Sequence, residues 1–313
     1  MAIRIAIIGY GKIAKDQHLP SIRDDSRFEL AAISTRSGDP GLGVPCYGEP
    51  AQLFEAMRGQ LDAVAICTPP TVRHSIAAAA IDAALAVMLE KPPAATLGEI
   101  EDLERRARAA GTALYATWHS QHAPGVAGAA AALHGKTVTG LDISWVEDVR
   151  KWHPGQEWIW VAGGFGVFDT GINALSIATR ILPNPLFVKE AVLTYPSNKQ
   201  APIAASLTFA GDDMKAVMDW RYEQGEQWSM RVETSDGTTV ELRNGGGVLL
   251  VNGPEQPVEH RGEYPGLYSR FAELVGSAQV EVDREPLRIV ADAFLIGQRD
   301  LTDPFSETRL LSD

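Results

Sequence analysis

Cysteine is nearly missing from this chain: Cys46 and Cys67 are the only two in 313 residues. Two thiols cannot staple a fold of this size, and they are expected to pack as small hydrophobes in a reducing cytoplasm. No uncharged apolar run reaches the roughly 18 residues that a bilayer demands. The nearest, 77–89, is short and carries Asp82. Positive charge is scarce too, with 28 Lys and Arg against 40 Asp and Glu and a net charge of −12. That balance argues against nucleic acid and anionic membranes as partners, since both demand clustered cations. The first residues are apolar but lack the basic start and cleavage site of a secretory signal, so no export is expected. Repeats and low-complexity tracts are also lacking; the alanines at 77–80 and 129–132 read as plain helix.

What is present fits a folded chain, with 45% hydrophobic and 22% charged residues excluding wholesale disorder. The length suits two domains better than one core. Short apolar runs at Ile3–Ile8, Phe28–Ser34, 62–67, Ala86–Leu89 and 112–116 alternate with helical spacing near 16–24, 51–58, 71–85 and 97–110. This is the signature of βαβ units around a buried parallel sheet. After His119 the texture changes to a helical stretch at 169–181 and strand-like alternation at 141–145, 188–195, 204–209, 216–220, 231–234, 239–242 and 248–251. The fold class expected is therefore α/β: a doubly wound Rossmann domain over 1–119, then an α+β domain over 120–313 with a largely antiparallel open sheet. A helix at 286–298 is expected to pack back on the first domain. The exposed sheet offers a surface for a homodimer.

Gly9-Tyr10-Gly11-Lys12-Ile13-Ala14 follows the first strand and opens a helix. A tight glycine turn there lets helix-terminal amides hold a pyrophosphate. Taken alone the hexapeptide could be an ordinary turn; the alternating units behind it favour a dinucleotide. At the end of the second strand, where an NAD-selective fold places Asp or Glu against the ribose, Ser34-Thr35-Arg36 offers hydroxyls and a guanidinium. Arginine forks onto a phosphate, so NADP is the first expectation and NAD the second, with an Arg36 that merely faces solvent as the bland alternative.

Gly9 to Ala14, Thr68-Pro69-Pro70 after the third strand and Glu90-Lys91-Pro92 after the fourth together resemble the glucose–fructose oxidoreductase / inositol dehydrogenase (Gfo/Idh/MocA) family. The stretches 145–155 and 166–174 are similar to bacterial aldose 1-dehydrogenases, the D-galactose and L-arabinose enzymes. The resemblance spans essentially the whole chain. It implies a nucleotide-binding domain followed by a substrate domain, with a free sugar held between them and oxidised to its lactone. It also implies a dinucleotide lined by Gly9, Gly11, Lys12, Ile13, Ser34, Thr35, Arg36, Thr68, Pro69, Pro70, Glu90 and Lys91. The family assigns proton transfer to His in an Asp-x-x-x-His motif, but here the motif runs from Asp169 to Asn173. Asparagine cannot serve as a base, so that role is not carried over.

Oxidising an anomeric hydroxyl needs a proton acceptor at O1 while C1 gives up hydride. Lys91 follows a parallel strand at its carboxyl end, the crevice side of such folds, and Pro92 and Pro93 stiffen its turn. Glu90, Asp169 or Glu147 could balance its charge. Asp169 and Asn173, four apart on a helix, present one face to one ligand, although Asp169 would also suit a helix cap. The reading leaves open whether Lys91 or Asp169 is the base. Glu147, Trp152 and His153 combine polar and aromatic groups suited to sugar hydroxyls and an apolar sugar face; His153 could equally bond only backbone. His119 and His122 invite a zinc reading, but no Cys, Asp or Glu stands at an adjacent ligand spacing, so no metal is expected and His119 is read as a sugar or nicotinamide contact. The function expected is an aldose 1-dehydrogenase. Other classes that fit are an NAD-dependent glycosidase of the same fold and a non-catalytic dinucleotide sensor.

Overall fold

The computed structural model describes residues 1–211 and 213–307. They divide into two compact units, Met1–His119 with Arg261–Arg284, and Ser120–His260 with Glu285 onward. The first stretch carries β1 (Ile3–Ile8), α1 (Leu19–Asp24), β2 (Phe28–Ser34), β3 (Cys46–Tyr47), α2 (Pro50–Ala56), β4 (Ala63–Ile66), α3 (Pro70–Asp82), β5 (Ala86–Leu89), α4 (Leu97–Ala110) and β6 (Leu114–Ala116). The next supplies α5 (Val126–Leu133), β7 (Val138–Val146), α6 (Val149–Trp152), α7 (Phe168–Ile181), β8 (Val188–Pro196), β9 (Ala204–Phe209), β10 (Met214–Asp219), β11 (Gln227–Thr234), β12 (Thr239–Arg243), β13 (Val248–Val251) and β14 (Glu255–Gln256). The chain then returns to the first unit with α8 (Glu263–Ser277) and β15 (Val280–Glu281), and to the second with α9 (Glu285–Ile296) and β16 (Gln298–Thr302).

In the first unit the strands lie parallel in the order β15-β6-β5-β4-β1-β2-β3. Strands β4 and β5 are buried along their whole length, as continuous apolar runs covered on both faces must be. Strand order reverses between β1 and β4, which opens a crevice at their carboxyl ends. Local signals place the helices: Thr96 and Glu99 form a capping box at the start of α4, and Gly111 closes it in a left-handed conformation.

The second unit is a nine-stranded sheet ordered β14-β13-β12-β11-β7-β10-β9-β8-β16. It is largely antiparallel, but β7 and β10 run parallel, as do β8 and β16. Helices α5, α7 and α9 pack on it and on one another. Outward positions carry Val192, Val217 and Leu301 among polar residues. Among the described residues no helix is long and apolar enough to cross a membrane.

Two expectations are corrected. The helix expected at 286–298 to join the first unit is α9, which packs on α7 and β8 of the second. Leu287, Ile289, Val290 and Ala293 are its buried stripe, and Arg288 donates to the Leu186 carbonyl. The segment that returns to the first unit is 261–284, unread in the sequence, so the second domain does not run unbroken from 120 to 313. Its α8 buries Tyr264, Leu267, Tyr268, Phe271 and Leu274, with Tyr268 edge-on to Phe28 and Phe271 stacked on Phe28 and Tyr115.

Just ahead of α7, Gly166 has φ of +54°, and a Cβ built there would lie 2.3 Å from the Pro202 carbonyl oxygen. The atoms it would meet are backbone and a proline ring, not the free end of a flexible side chain. Gly166→Ala should therefore cost about 2 kcal/mol or more and lower the unfolding midpoint. Gly98→Ala on α4, where added carbon meets open space, should leave it unchanged or raise it slightly. Equal midpoints for the two variants in a thermal melt would rule out this packing at Gly166.

Candidate active site

The candidate residues form two groups, one on each unit. In the first, Gly9 donates its amide to the Ser34 carbonyl at 2.8 Å and adopts φ of +90°. A Cβ there would stand 3.0 Å from the Thr68 amide nitrogen, so only glycine lets the turns after β1 and β4 approach so closely. Gly11 is different: nothing lies within 4 Å of the position its Cβ would take. The helix that follows begins with a wider π-type turn, Ala14–His18, before α1. Beside this turn the Thr68 hydroxyl is buried and, among the described residues, unpartnered. A close glycine turn, an open side and an orphaned hydroxyl at the sheet's crevice fit a dinucleotide's pyrophosphate.

Ser34 and Thr35 are buried at the end of β2, while Arg36 is exposed. Among the described residues no carboxylate lies within ion-pair distance of Arg36. Lys12 is exposed and pairs with Asp16 one turn on. Pro69 immediately precedes α3 and Pro70 opens it.

Glu90, expected to line the dinucleotide, has internal partners for both carboxylate oxygens. Its side chain is buried, and its carboxylate is taken up within the protein. Oε1 faces His18 Nε2 at 3.0 Å and accepts from the Tyr264 hydroxyl at 2.7 Å, while Oε2 accepts from the Lys91 amide at 2.8 Å. His18 Nδ1 lies 2.8 Å from the Tyr268 oxygen. Burial works against the His18 imidazolium, but the Cys67 sulfur, the Tyr268 oxygen and the Glu90 carboxylate outweigh it and raise the group well above its usual value. Burial likewise disfavours the Glu90 carboxylate, and the hydrogen bond and charge of His18, with help from His119 and Tyr264, hold it well below the usual range. The two form a buried ion pair. Burial pushes the Tyr268 phenol up to about 12, so it stays protonated.

Arg73, also buried, bonds the carbonyls of Thr68, Glu90 and Pro92, joining the turns after β4 and β5. Lys91 sits half-buried at the end of β5 within this frame. His119 pairs with Glu263 and stacks on Tyr264, with ring centroids 5.6 Å apart.

In the second unit Asp169 lies in the first turn of α7 and is 3% exposed. It is not the cap, which is Val167, and a carboxylate in the first turn is favoured by the helix dipole. His153 Nε2 stands 3.9 Å from Asp169 Oδ2, with its ring against Trp220 at 5.3 Å. Trp220 donates to the Thr170 hydroxyl at 2.9 Å. Asn173 is half-buried, one turn beyond Asp169. Glu147, 1% exposed at the end of β7, accepts from Trp228 Nε1 at 2.8 Å. Trp228 stacks on Trp145 and leans on Trp152, whose Nε1 donates to Glu226 at 3.0 Å. The structure thus brings Glu147, Trp152, His153 and Asp169 to one aromatic-walled region. Sequence reasoning missed Trp220, Trp228, Tyr264 and Glu263, which hold the candidates but lie far from them along the chain. Among the described residues no group of three or more His, Cys, Asp or Glu could hold a metal.

The model of the oxidoreductase family with an NAD-binding Rossmann fold, Gfo/Idh/MocA, matches residues 3–117. Galactose 1-dehydrogenase of Pseudomonas fluorescens is 42% identical over 306 residues, covering 97% of this chain and 98% of the relative. The crystal structure of a D-galactose 1-dehydrogenase from Rhizobium etli superposes with a TM-score of 0.91 at 45% identity, covering 97% of this chain and 98% of the other. A 3-ketoreductase from Actinomadura kijaniata shares the fold at a TM-score of 0.80 and 19% identity, with 96% and 100% covered. Alike along nearly its whole length and carrying the dinucleotide turn where the fold requires it, this chain belongs to the Gfo/Idh/MocA family of oxidoreductases.

Proposed function

We propose that the protein is an aldose 1-dehydrogenase, oxidising the C1 hydroxyl of D-galactose, with L-arabinose as second candidate, to the aldonolactone, and preferring NADP to NAD. The observation that carries this reading is the likeness to galactose 1-dehydrogenases, which covers the substrate unit as well as the nucleotide unit. When bound, the nicotinamide dinucleotide supplies the hydride acceptor. Backbone amides of Gly11 to Ile13, beyond the Gly9 amide that is bonded to the Ser34 carbonyl, would hold its pyrophosphate, and Arg36, which follows Ser34 and Thr35, would fork onto a 2′-phosphate.

For the sugar, Asp169 and Lys91 are assigned the proton path at O1 and Asn173 its orientation. Asp169 is a buried carboxylate with a histidine nitrogen 3.9 Å away, which supports placing it beside the sugar. Glu147, Trp152, His153 and His119 are assigned to the hydroxyls and the apolar sugar face. Glu90 is assigned a supporting part through Lys91, whose amide its carboxylate holds.

A panel of free aldoses with NADP and NAD, read at the reduced-nicotinamide absorbance, tests the function. D-galactose or L-arabinose should reduce NADP, and Arg36→Ala should raise the KM for NADP about tenfold while leaving that for NAD within twofold. Turnover of a glycoside without net reduced coenzyme would replace this reading by a glycosidase, and coenzyme binding with no turnover by a sensor. Asp169→Ala should lower kcat about hundredfold or more with coenzyme affinity kept; near-normal turnover would remove its role.

The His18–Glu90 pair makes a pH prediction. Glu90, lowered from 4.5, adds stability above that value and loses it as pH falls through its depressed value. His18, raised from 6.5, adds stability in full below 6.5 and loses it as pH rises through its elevated value. Both contributions are complete only between about pH 4.5 and 6.5. His18→Gln should therefore destabilise most in that window, by roughly 3–5 kcal/mol. A thermal-midpoint difference that stays constant from pH 4 to 9, on the order of the whole accessible range, would exclude the ion pair.

A further inference from the structure

The loop from β7 to α7, which carries Trp152 and His153, has little regular structure of its own: the single turn of α6 and a short 3₁₀ turn at Glu157–Trp160. Its two flanks are held differently. On one side Glu226, just ahead of β11, takes Lys151 and the Trp152 indole nitrogen.

On the other side stands the segment 303–307, which follows β16. Residues 298–301 of that strand are exposed, yet Phe305 is buried. Asn198 fixes its backbone twice, donating to the Phe305 carbonyl at 3.0 Å and accepting from its amide at 2.9 Å. The Phe305 ring packs on Trp160 with centroids 4.9 Å apart and lies beneath the Arg150 guanidinium at 4.7 Å. Arg150 Nε donates to the Ser306 carbonyl at 3.3 Å, and the Gly155 amide donates to Glu307 Oε2 at 3.0 Å. Trp160 in turn stands edge-on to Trp220 at 5.4 Å, Trp220 meets His153, and His153 faces Asp169. Trp160 Nε1 is buried and, among the described residues, unbonded, so packing against Phe305, Trp220 and the Lys199 ammonium is what sets its ring.

We propose that Phe305, with Asn198 and Glu307, is a positioning element for sugar recognition: it fixes the loop 149–160 and, through Trp160 and Trp220, the His153 imidazole. This rests on the reading of Trp152 and His153 as sugar contacts. A buried aromatic at the end of an otherwise exposed strand spends its apolar surface on the loop, and both hydrogen bonds that follow it end on loop residues flanking Trp152 and His153. The coenzyme turns belong to the other unit and make none of these contacts.

The test uses the full chain with D-galactose and NADP, alongside hydrogen exchange of 149–160. Phe305→Ala should speed exchange across 149–160 about tenfold and raise the sugar KM about fivefold or more, with coenzyme KM within about twofold and kcat within about threefold. Phe305→Leu should recover most of both effects. Glu307→Ala, which removes only the carboxylate on the Gly155 amide, should move both in the same direction by less, and it reads the proposal if Phe305→Ala does not fold. Faster exchange with an unchanged sugar KM, or unchanged exchange, overturns the proposal. If no aldose is turned over by the unmodified protein, the function assigned above fails, while exchange in the two variants still reports whether the segment holds the loop.

Discussion

The turn that carries Lys91 depends on one carboxylate kept out of water. A buried Glu90 with no counter-charge would be costly enough to neutralise or to unfold its surroundings. It is met by an imidazolium from the turn after the dinucleotide loop, by a phenol from α8 and by the neighbouring amide. These groups come from widely separated stretches, so satisfying one charge fixes the start of the first helix, the end of β5 and the return of residues 261–284 together. Arg73 does the complementary work, placing a buried cation among three carbonyls of the two adjacent turns. The Lys91 amide and the carbonyls of its two neighbours are thereby held, which the proposed role of Lys91 in the proton path asks of an ammonium on a long flexible stem.

Much of the first unit was legible because buried parallel strands are written as uninterrupted apolar runs. The expected strands at Ile3–Ile8, Phe28–Ser34 and Ala86–Leu89 coincide with β1, β2 and β5. Helix α8 was overlooked although Tyr264, Leu267, Tyr268, Phe271 and Leu274 follow the helical period. Pro265 and Gly266 interrupt its first turn, and periodicity in any case tells that a face is buried and not against what. The same limit explains α9, whose stripe was read correctly and sent to the wrong unit. Alternation likewise marked β7 and β10 as strands, but which strands neighbour one another, and in which direction, is decided by the crossovers between them.

The site was legible in proportion to how local it is. The dinucleotide turn sits in six consecutive residues, and Gly9 announces itself because backbone approach allows nothing larger there. Asp169 and Asn173 share a helix face by spacing alone. What holds the neighbouring candidates is not local: Trp220 against His153 and Trp228 on Glu147 come from the neighbourhood of β10 and β11, and Phe305 against Trp160 from beyond β16. The internal bonding of Glu90 was illegible for a related reason. A motif shows which residues recur together near a ligand, and it cannot say which of them faces inward to support the others.

This division between contact and support bears on how an aldose can be told from its epimer. Two sugars that differ in one hydroxyl present nearly the same apolar surface, so selection falls to hydrogen bonds, and its strength comes from the cost of leaving a buried polar group unpaired with the wrong sugar. That cost is felt only if the loop cannot shift to find another partner. A loop with one α turn and one 3₁₀ turn, tied internally by a few turn hydrogen bonds, has little stiffness of its own. Stiffness is imported through a salt bridge to Glu226 on one flank and an aromatic wedge with two hydrogen bonds on the other. On the proposed reading Asn173 fits the same logic: an amide cannot take a proton and can only fix geometry, which would leave the proton to charged groups and the placement of the neutral groups around them to selectivity.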